Sequence, residues 1–157
     1  MDLTLIEQYE HGGEKLRRAV SGLDGQDMAA VPIEGQWSIQ QVVLHLMDSD
    51  LIAADRMKRI IAEENPVIIG FDETKFAQNL AYDQQPVGEA VEIFDRNRKL
   101  FARVLKRLPA SAWTRFGTHN ERGKITLGDM LKTYVGHLDH HLKFIYQKRE
   151  KLGELLW

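Results

Sequence analysis

Cysteine is absent from all 157 residues of the chain, and this absence limits the chemistry that the protein can perform. Disulfide bonds, thiolate ligands for a metal and a thiol nucleophile carried by the protein itself are excluded. A reaction that uses a thiol would have to take that thiol from a second molecule. The same absence does not distinguish a reducing compartment from an oxidising one.

An excess of charge of one sign is also lacking. The 21 Lys and Arg residues against 23 Asp and Glu give a formal net charge of -2, so there is no basic surface of the kind that neutralises nucleic-acid phosphates. No apolar run approaches the roughly 20 residues needed to cross a bilayer. The first residues, MDLTLIEQYEHGG, lack the basic and then apolar order of a signal peptide. These features predict a cytoplasmic protein that binds neither nucleic acid nor a membrane.

The composition that remains, 43% hydrophobic and 28% charged residues, is that of an ordinary folded protein. A chain of this length can bury a core and falls within the usual span of one domain, so we expect a single domain over residues 1–157. Gly, Pro and Asn cluster between four long stretches in which apolar residues recur at helical spacing. The pattern predicts an all-α fold, a four-helix bundle.

Caps and breakers set the expected helix boundaries. Ser38 followed three residues later by Gln41 is a capping box, which predicts the start of the second helix. Thr126 and Asp129 resemble the same device before the last helix. The four predicted helices span about residues 3–23, 38–65, 86–108 and 127–151.

The connections between these helices carry structure of their own. Residues 67–85, between the second and third helices, are expected to form a short extra helix around 74–80 or a loop that packs on the bundle through aromatic side chains. Residues 116–124 are expected to form a loop or short hairpin. The tryptophans are interpreted as packing residues: Trp37, Trp113 and Trp157.

Two histidines in the last predicted helix point to a metal. His137 and His141 are four residues apart, which places them on one face of a helix with their Cβ atoms roughly 5–6 Å apart. Helical phase puts both on the core-facing stripe and turns His140 largely elsewhere. Two imidazoles in this arrangement can share one ion, but hydrogen-bonded core histidines would have the same spacing.

A third imidazole ligand would have to come from another helix. His45 lies at the edge of the apolar face of the second helix, on a flank that it shares with Ser49 and Arg56. It is placed to face a neighbouring helix. A partly buried histidine bonded to a backbone carbonyl fits the same position, and periodicity does not choose between the two interpretations.

The run from Trp37 to Ser49, WSIQQVVLHLMDS, resembles the second-helix motif of the DinB-like family. Further residues recur in the order seen in its branch of metal-dependent hydrolases and bacillithiol transferases, so that the resemblance covers essentially the whole chain. These residues are Asp48, Arg56, Lys58, Phe71, Asp72, Glu73, Pro86, Val87, His137, His140 and His141.

The resemblance implies a four-helix bundle, usually a homodimer, that holds a divalent metal, Zn or Ni, through His45, His137 and His141. It implies an enzyme that activates water or a low-molecular-weight thiol for attack on a small-molecule electrophile, as a hydrolase or a thiol S-transferase. A non-catalytic metal-binding or stress-related helical protein is the alternative, in which the ion joins two helices and adds to the free energy of folding.

Other polar residues near the motif are candidates for supporting roles. Related sequences often carry a histidine where this chain has Asp50, which helical phase places at the centre of the core-facing stripe. Asp50 and His140 are the candidate catalytic residues, although pairing with a buried arginine or amide would equally explain Asp50. Asp48 and Arg56 are candidates for an acid beside the ligands and a clamp for a substrate carboxylate, or else for a solvated ion pair.

Overall fold

The computed structural model describes residues 3–156, most of which are helical. The helices are α1 Leu3–Glu10, α2 Gly12–Val20, α3 Gly25–Ala29, α4 Ile39–Ala62, α5 Glu73–Asn79, α6 Val87–Leu105 and α7 Leu127–Leu152. The strands are β1 Val67–Ile68, β2 Phe116–His119 and β3 Gly123–Thr126. α4 packs against α6 and α7, and the pair α1–α2 packs against the same two helices. The predicted four-helix bundle is therefore confirmed.

The two helices that carry the candidate ligands begin where their caps predict. The Ser38 hydroxyl accepts a hydrogen bond from the Gln41 amide at 3.2 Å, and the Gln41 side chain accepts from the Ser38 amide at 2.9 Å. Thr126 and Asp129 form the same reciprocal pair at the start of α7. Satisfying these otherwise unpaired amides fixes the first residue of each helix, and with it the helical phase of every residue that follows.

The first predicted helix, residues 3–23, is divided at His11 and ends at Val20. The break precedes Gly12 and Gly13, which lie against α6. A Cβ atom at Gly13 would lie 2.5 Å from the Cβ of Asp95, so only glycine permits this approach. The close packing of α2 on α6 explains a pair of glycines in an otherwise helical pattern.

The connections form a small sheet and the expected short helix. β2 and β3 pair antiparallel as a hairpin, and the extra helix, expected at 74–80, is α5. β1 pairs parallel with β2 and was not predicted. A strand of two residues is too short to show the alternation of apolar and polar residues by which strands are predicted. In the described part of the chain, no helix has the length and apolar character required to cross a membrane.

The core consists of two hydrophobic clusters with a polar layer between them. One cluster contains residues 39–47 of α4 with residues from α2, α6 and the later part of α7, and the other contains residues 53–60 of α4 with residues from α1, α6 and the earlier part of α7. Trp37 and Trp113 pack against these clusters, as predicted, whereas Trp157 lies outside the described residues.

The polar layer is built on a buried ion pair. Arg98 Nε donates to Asp50 Oδ1 at 2.8 Å, and Asn97 Nδ2 donates to Asp50 Oδ2 at 2.7 Å. Arg98 Nη2 also donates to the carbonyl of Tyr134 at 2.9 Å, so one guanidinium joins α4, α6 and α7. Both members of the ion pair are 1% exposed. The aromatic rings of Tyr9 and Phe94 lie 4.5 and 4.3 Å from the Arg98 guanidinium carbon.

Removing the carboxylate of this pair should strongly destabilise the protein. In Asp50→Ala the Arg98 charge stays buried without its partner, and we expect the free energy of unfolding to fall by about 3–5 kcal/mol. Urea denaturation followed by circular dichroism measures the change. The control is Asp55→Ala, which breaks an exposed pair with Arg59 on the same helix and should cost little. Equal losses in the two variants would contradict the structural importance of the buried pair.

Candidate metal centre

The structure brings His45, His137 and His141 together between α4 and α7. One nitrogen of each ring lies within 4.8 Å of the corresponding nitrogens of the other two. Nε2 of His45 and Nε2 of His137 are 3.2 Å apart. The capping boxes at the helix starts set the helical phase that turns these side chains toward each other, and the packing of α4 on α7 brings the two helices together.

This donor set fits a divalent transition metal. Zinc bonded to imidazole nitrogens at about 2.0–2.1 Å in tetrahedral geometry has neighbouring donors roughly 3.3 Å apart, close to the spacing between His45 and His137. Nδ1 of His141 is buried without a hydrogen-bond partner among residues 3–156. Buried polar atoms normally have a partner, and this nitrogen has none in the described part of the protein. Imidazoles suit borderline cations such as Zn and Ni.

Electrostatics keep the three imidazoles available as ligands. Burial lowers the pKa of His45 to about 4. Burial, followed by the proximity of His141 and His45, lowers the pKa of His137 to about 3. Burial and then His45 lower the pKa of His141 to about 4. At neutral pH all three rings are therefore uncharged, each has a lone pair to donate, and no imidazolium charge repels a cation.

Neighbouring side chains hold these rings in place. The Trp37 ring packs edge-on against His45 with 5.3 Å between ring centres, and Tyr134 packs in the same manner on His137 at 5.9 Å. The Ser49 hydroxyl lies 3.4 Å from Nδ1 of His45. The position of Trp37 agrees with its interpretation as a packing residue, and the ring it supports is the candidate ligand on α4.

Glu73 is a site residue for which no role was predicted from the sequence. Its Oε2 lies 4.0 Å from Nε2 of His45, and its side chain is 54% exposed. Asp72 caps α5 by accepting a hydrogen bond from the Lys75 amide at 3.0 Å, which places Glu73 in the first helical turn. Residues 71–73 contributed to the family resemblance, but helical phase within α4 and α7 carries no information on where this segment folds.

A cleft with a volume of about 120 Å³ opens beside the histidines. Arg56 lines it, with Nη1 donating to the Tyr134 hydroxyl at 2.8 Å and Nη2 donating to the Ile69 carbonyl. The guanidinium therefore holds the cleft wall in place and does not pair with Asp48. The residues around the cleft that bear on function are Ser49, Arg56, Glu73, His119, Tyr134 and His137.

Asp48 and His140 lie outside the group of three imidazole donors. Asp48 accepts a hydrogen bond from the Tyr82 hydroxyl, away from Arg56. His140 is exposed and packs on Phe144, with 4.8 Å between ring centres, and its ring edge approaches His141.

The interpretation of Asp50 as a catalytic residue needs correction. Both of its carboxylate oxygens are hydrogen-bonded, one to Arg98 and the other to Asn97. The side chain is 1% exposed, so the carboxylate is enclosed in this ion pair and is not open to a substrate. The structure favours the alternative, in which the aspartate pairs with a buried arginine and an amide.

The sequence is similar to proteins described by name as candidate metal-dependent hydrolases. A protein from Oceanobacillus iheyensis is 31% identical over 140 residues, which covers 89% of this chain and 81% of the relative. A protein from Bacillus mycoides is 29% identical over 148 residues, which covers 94% of this chain and 85% of the relative. Both likenesses extend over nearly the whole bundle.

Solved structures show the same architecture. YfiT from Bacillus subtilis, described as a candidate metal-dependent hydrolase with an unusual four-helix bundle topology, matches with a TM-score of 0.90 and 25% identity, over 96% of this chain and 86% of YfiT. A mycothiol-dependent maleylpyruvate isomerase matches with a TM-score of 0.70 and 12% identity, over 91% of this chain and 60% of the isomerase, a likeness of fold alone. The model of the DinB superfamily matches residues 8–145, and the chain belongs to that superfamily.

Proposed function

We propose that the protein is a metal-dependent enzyme in which His45, His137 and His141 hold a divalent ion, Zn or Ni. Water or a low-molecular-weight thiol would attack a small electrophile in the adjoining cleft. The observation that carries this proposal is the cluster of three uncharged imidazoles, with one nitrogen of each within 4.8 Å of the others, beside that cleft. An ion bound there would supply Lewis acidity and lower the pKa of water or a thiol in contact with it.

The number of ligands favours an enzyme over a protein that binds metal for stability. Structural zinc sites have four protein ligands, whereas catalytic sites have three and keep one position for water or substrate. Among residues 3–156, no fourth His, Asp or Glu has a ligand atom within 4.8 Å of all three imidazole donors, although the Glu73 carboxylate lies 4.0 Å from His45. His137 belongs both to that cluster and to the cleft wall, so a molecule in the cleft would lie next to the ligands.

Glu73 is the residue best placed to move a proton. Its carboxylate lines the cleft and lies 4.0 Å from Nε2 of His45. It would accept at Oε2 the proton that the nucleophile loses, and would return that proton to the leaving group. This role takes the place of the one that the sequence predicted for Asp50.

The nucleophile decides between hydrolase and S-transferase. The chain has no cysteine, so a thiol would enter as a second substrate and not as part of the protein. The names of the relatives favour hydrolysis, and the branch that the sequence resembles includes thiol transferases. Both reactions require the same activation of a small nucleophile and the same base, so they share one site.

The first test is the metal content of the purified protein. We expect about one Zn or Ni ion per chain. His45→Ala, His137→Ala and His141→Ala should each lower the affinity for the metal. The decrease should exceed the roughly 10- to 100-fold fall that follows removal of a ligand's hydrogen-bond partner. Elemental analysis with chelator competition measures this loss. His11→Ala changes an exposed histidine at the break between α1 and α2 and should keep its metal. Undiminished metal in all three site variants would refute the proposal.

The second test concerns turnover and the role of Glu73. Purified protein would be assayed for transfer of bacillithiol, glutathione or cysteine to a chromogenic electrophile, and for hydrolysis of 4-nitrophenyl acetate and an anilide. We expect Glu73→Gln to keep its metal and to lower kcat by about 10²- to 10⁴-fold, the usual contribution of a general base. Glu89→Gln, in the exposed first turn of α6, is the matched control.

Each outcome of this assay has a distinct meaning. Activity in one assay alone identifies the nucleophile as water or as a thiol. Unchanged kcat in Glu73→Gln would exclude Glu73 as the base while leaving the metal site intact. A metal-loaded protein that is silent in every assay would favour the non-catalytic metal-binding alternative.

A further inference from the structure

A second cleft borders the histidine cluster on the side of His141. It has a volume of about 330 Å³, and ligand sites typically have ~300–1,000 Å³. The loop at 35–37 and α7 form its walls. His137 lines the first cleft and His141 lines this one, so a different histidine of the cluster borders each cleft. The residues of the second cleft that matter here are Gln36, Trp37, His141, Phe144 and Lys148.

Lys148 is the unusual member of this cleft. The residue is 2% exposed, and its Nζ donates to the amide oxygen of Gln36 at 2.8 Å. No residue lining the cleft is acidic, and among residues 3–156 Lys148 forms no ion pair with a carboxylate within 4.0 Å. A buried ammonium whose partner is a neutral amide is costly, because burial removes its hydration and the amide does not balance its charge. The same burial lowers the pKa of Lys148.

Aromatic rings line the same cleft. Trp37 supports the His45 ring on one side, and Phe144 lies 5.9 Å from the His141 ring on the other, measured between ring centres. The Lys148 ammonium lies 5.7 Å from the centre of the Phe144 ring. The cleft therefore combines flat apolar surfaces, a cation and an edge of the histidine cluster, which are the features of a site for a small molecule with one polar end.

We propose that this cleft binds a carboxylate-bearing small molecule, with the carboxylate at Lys148 and an apolar or aromatic body between Trp37 and Phe144. The carboxylate would balance the charge that the lining residues leave unpaired and would accept a charge-assisted hydrogen bond from Nζ. The other end of the molecule would face His141. This assignment rests on the proposed function in taking the bound molecule to be a substrate of the histidine site.

A purely structural role for Lys148 makes a different prediction. If its hydrogen bond to Gln36 serves only to hold the loop at 35–37, its loss would lower stability without affecting any preference between charged and neutral ligands. The discriminating measurement is therefore selectivity for charge. Benzoate and benzamide form a suitable pair of probes, because they share size and ring and differ in charge.

The test is a titration of ¹⁵N-labelled protein with benzoate and with benzamide, followed by NMR. We expect benzoate to bind at least about 10-fold more tightly than benzamide, because only benzoate can form a charge-assisted contact, and to shift the Trp37 indole resonance. Lys148→Met should abolish the preference, and Lys148→Arg should retain it. Lys143→Met, on the exposed face of the same helix, is the control and should behave like the wild type.

Each titration is run on metal-loaded and on chelator-treated protein, since a carboxylate can also bind an ion directly. Preference for benzoate in both forms, lost in Lys148→Met, supports the assignment. Benzoate binding in the metal-loaded form alone, equal binding of the two probes, or a preference that survives in Lys148→Met would overturn it. If Lys148→Met does not fold, the wild-type protein provides the test. Resonance shifts at Trp37 and Lys148 that benzoate causes and benzamide does not would support the assignment, and their absence would overturn it. Because the chelator-treated form is tested, failure of the metal site and failure of this cleft are distinguishable.

Discussion

The buried ion pair between Asp50 and Arg98 fixes the geometry on which the histidine site depends. Arg98 extends from α6, pairs with a carboxylate of α4 and donates to a backbone carbonyl of α7. That carbonyl belongs to Tyr134, three residues before His137, and Asp50 follows His45 by five residues. The two helices that supply the imidazoles are thus both held by one guanidinium within about a turn and a half of the ligands. The resulting distance between α4 and α7 leaves His45 and His137 close enough to share an ion.

Much of this arrangement could be predicted from the sequence because it is local. Capping boxes depend on residues three apart, and the orientation of His137 relative to His141 depends only on the pitch of a helix. The role of His45 was harder to predict. Helical phase placed it on a flank of α4, and whether that flank meets α7 depends on the packing of distant segments. The family motif supplied what the periodicity of one helix could not.

The residues that sequence reasoning missed are held by contacts between segments far apart in the chain. The segment before Glu73 is fixed by the parallel pairing of β1 with β2 and by the side chain of Asn120, which accepts a hydrogen bond from the Gly70 amide at 2.9 Å. Lys148 lies on a helix whose pattern is amphipathic, and nothing in that pattern shows that a loop at 35–37 covers it. Phase placed Asp50 in the core but could not identify Arg98 as its partner.

The long helices also determine how an ion could enter and leave. His45 is the seventh of the 24 residues of α4, and His137 and His141 are the eleventh and fifteenth of the 26 residues of α7. Helices open most readily at their ends, and here every candidate ligand lies more than a turn from the nearest end. Fraying of the termini would leave the imidazoles in place. An ion held by these imidazoles would then exchange while the helices stay folded, unlike exchange in small domains that fold only when they bind their metal.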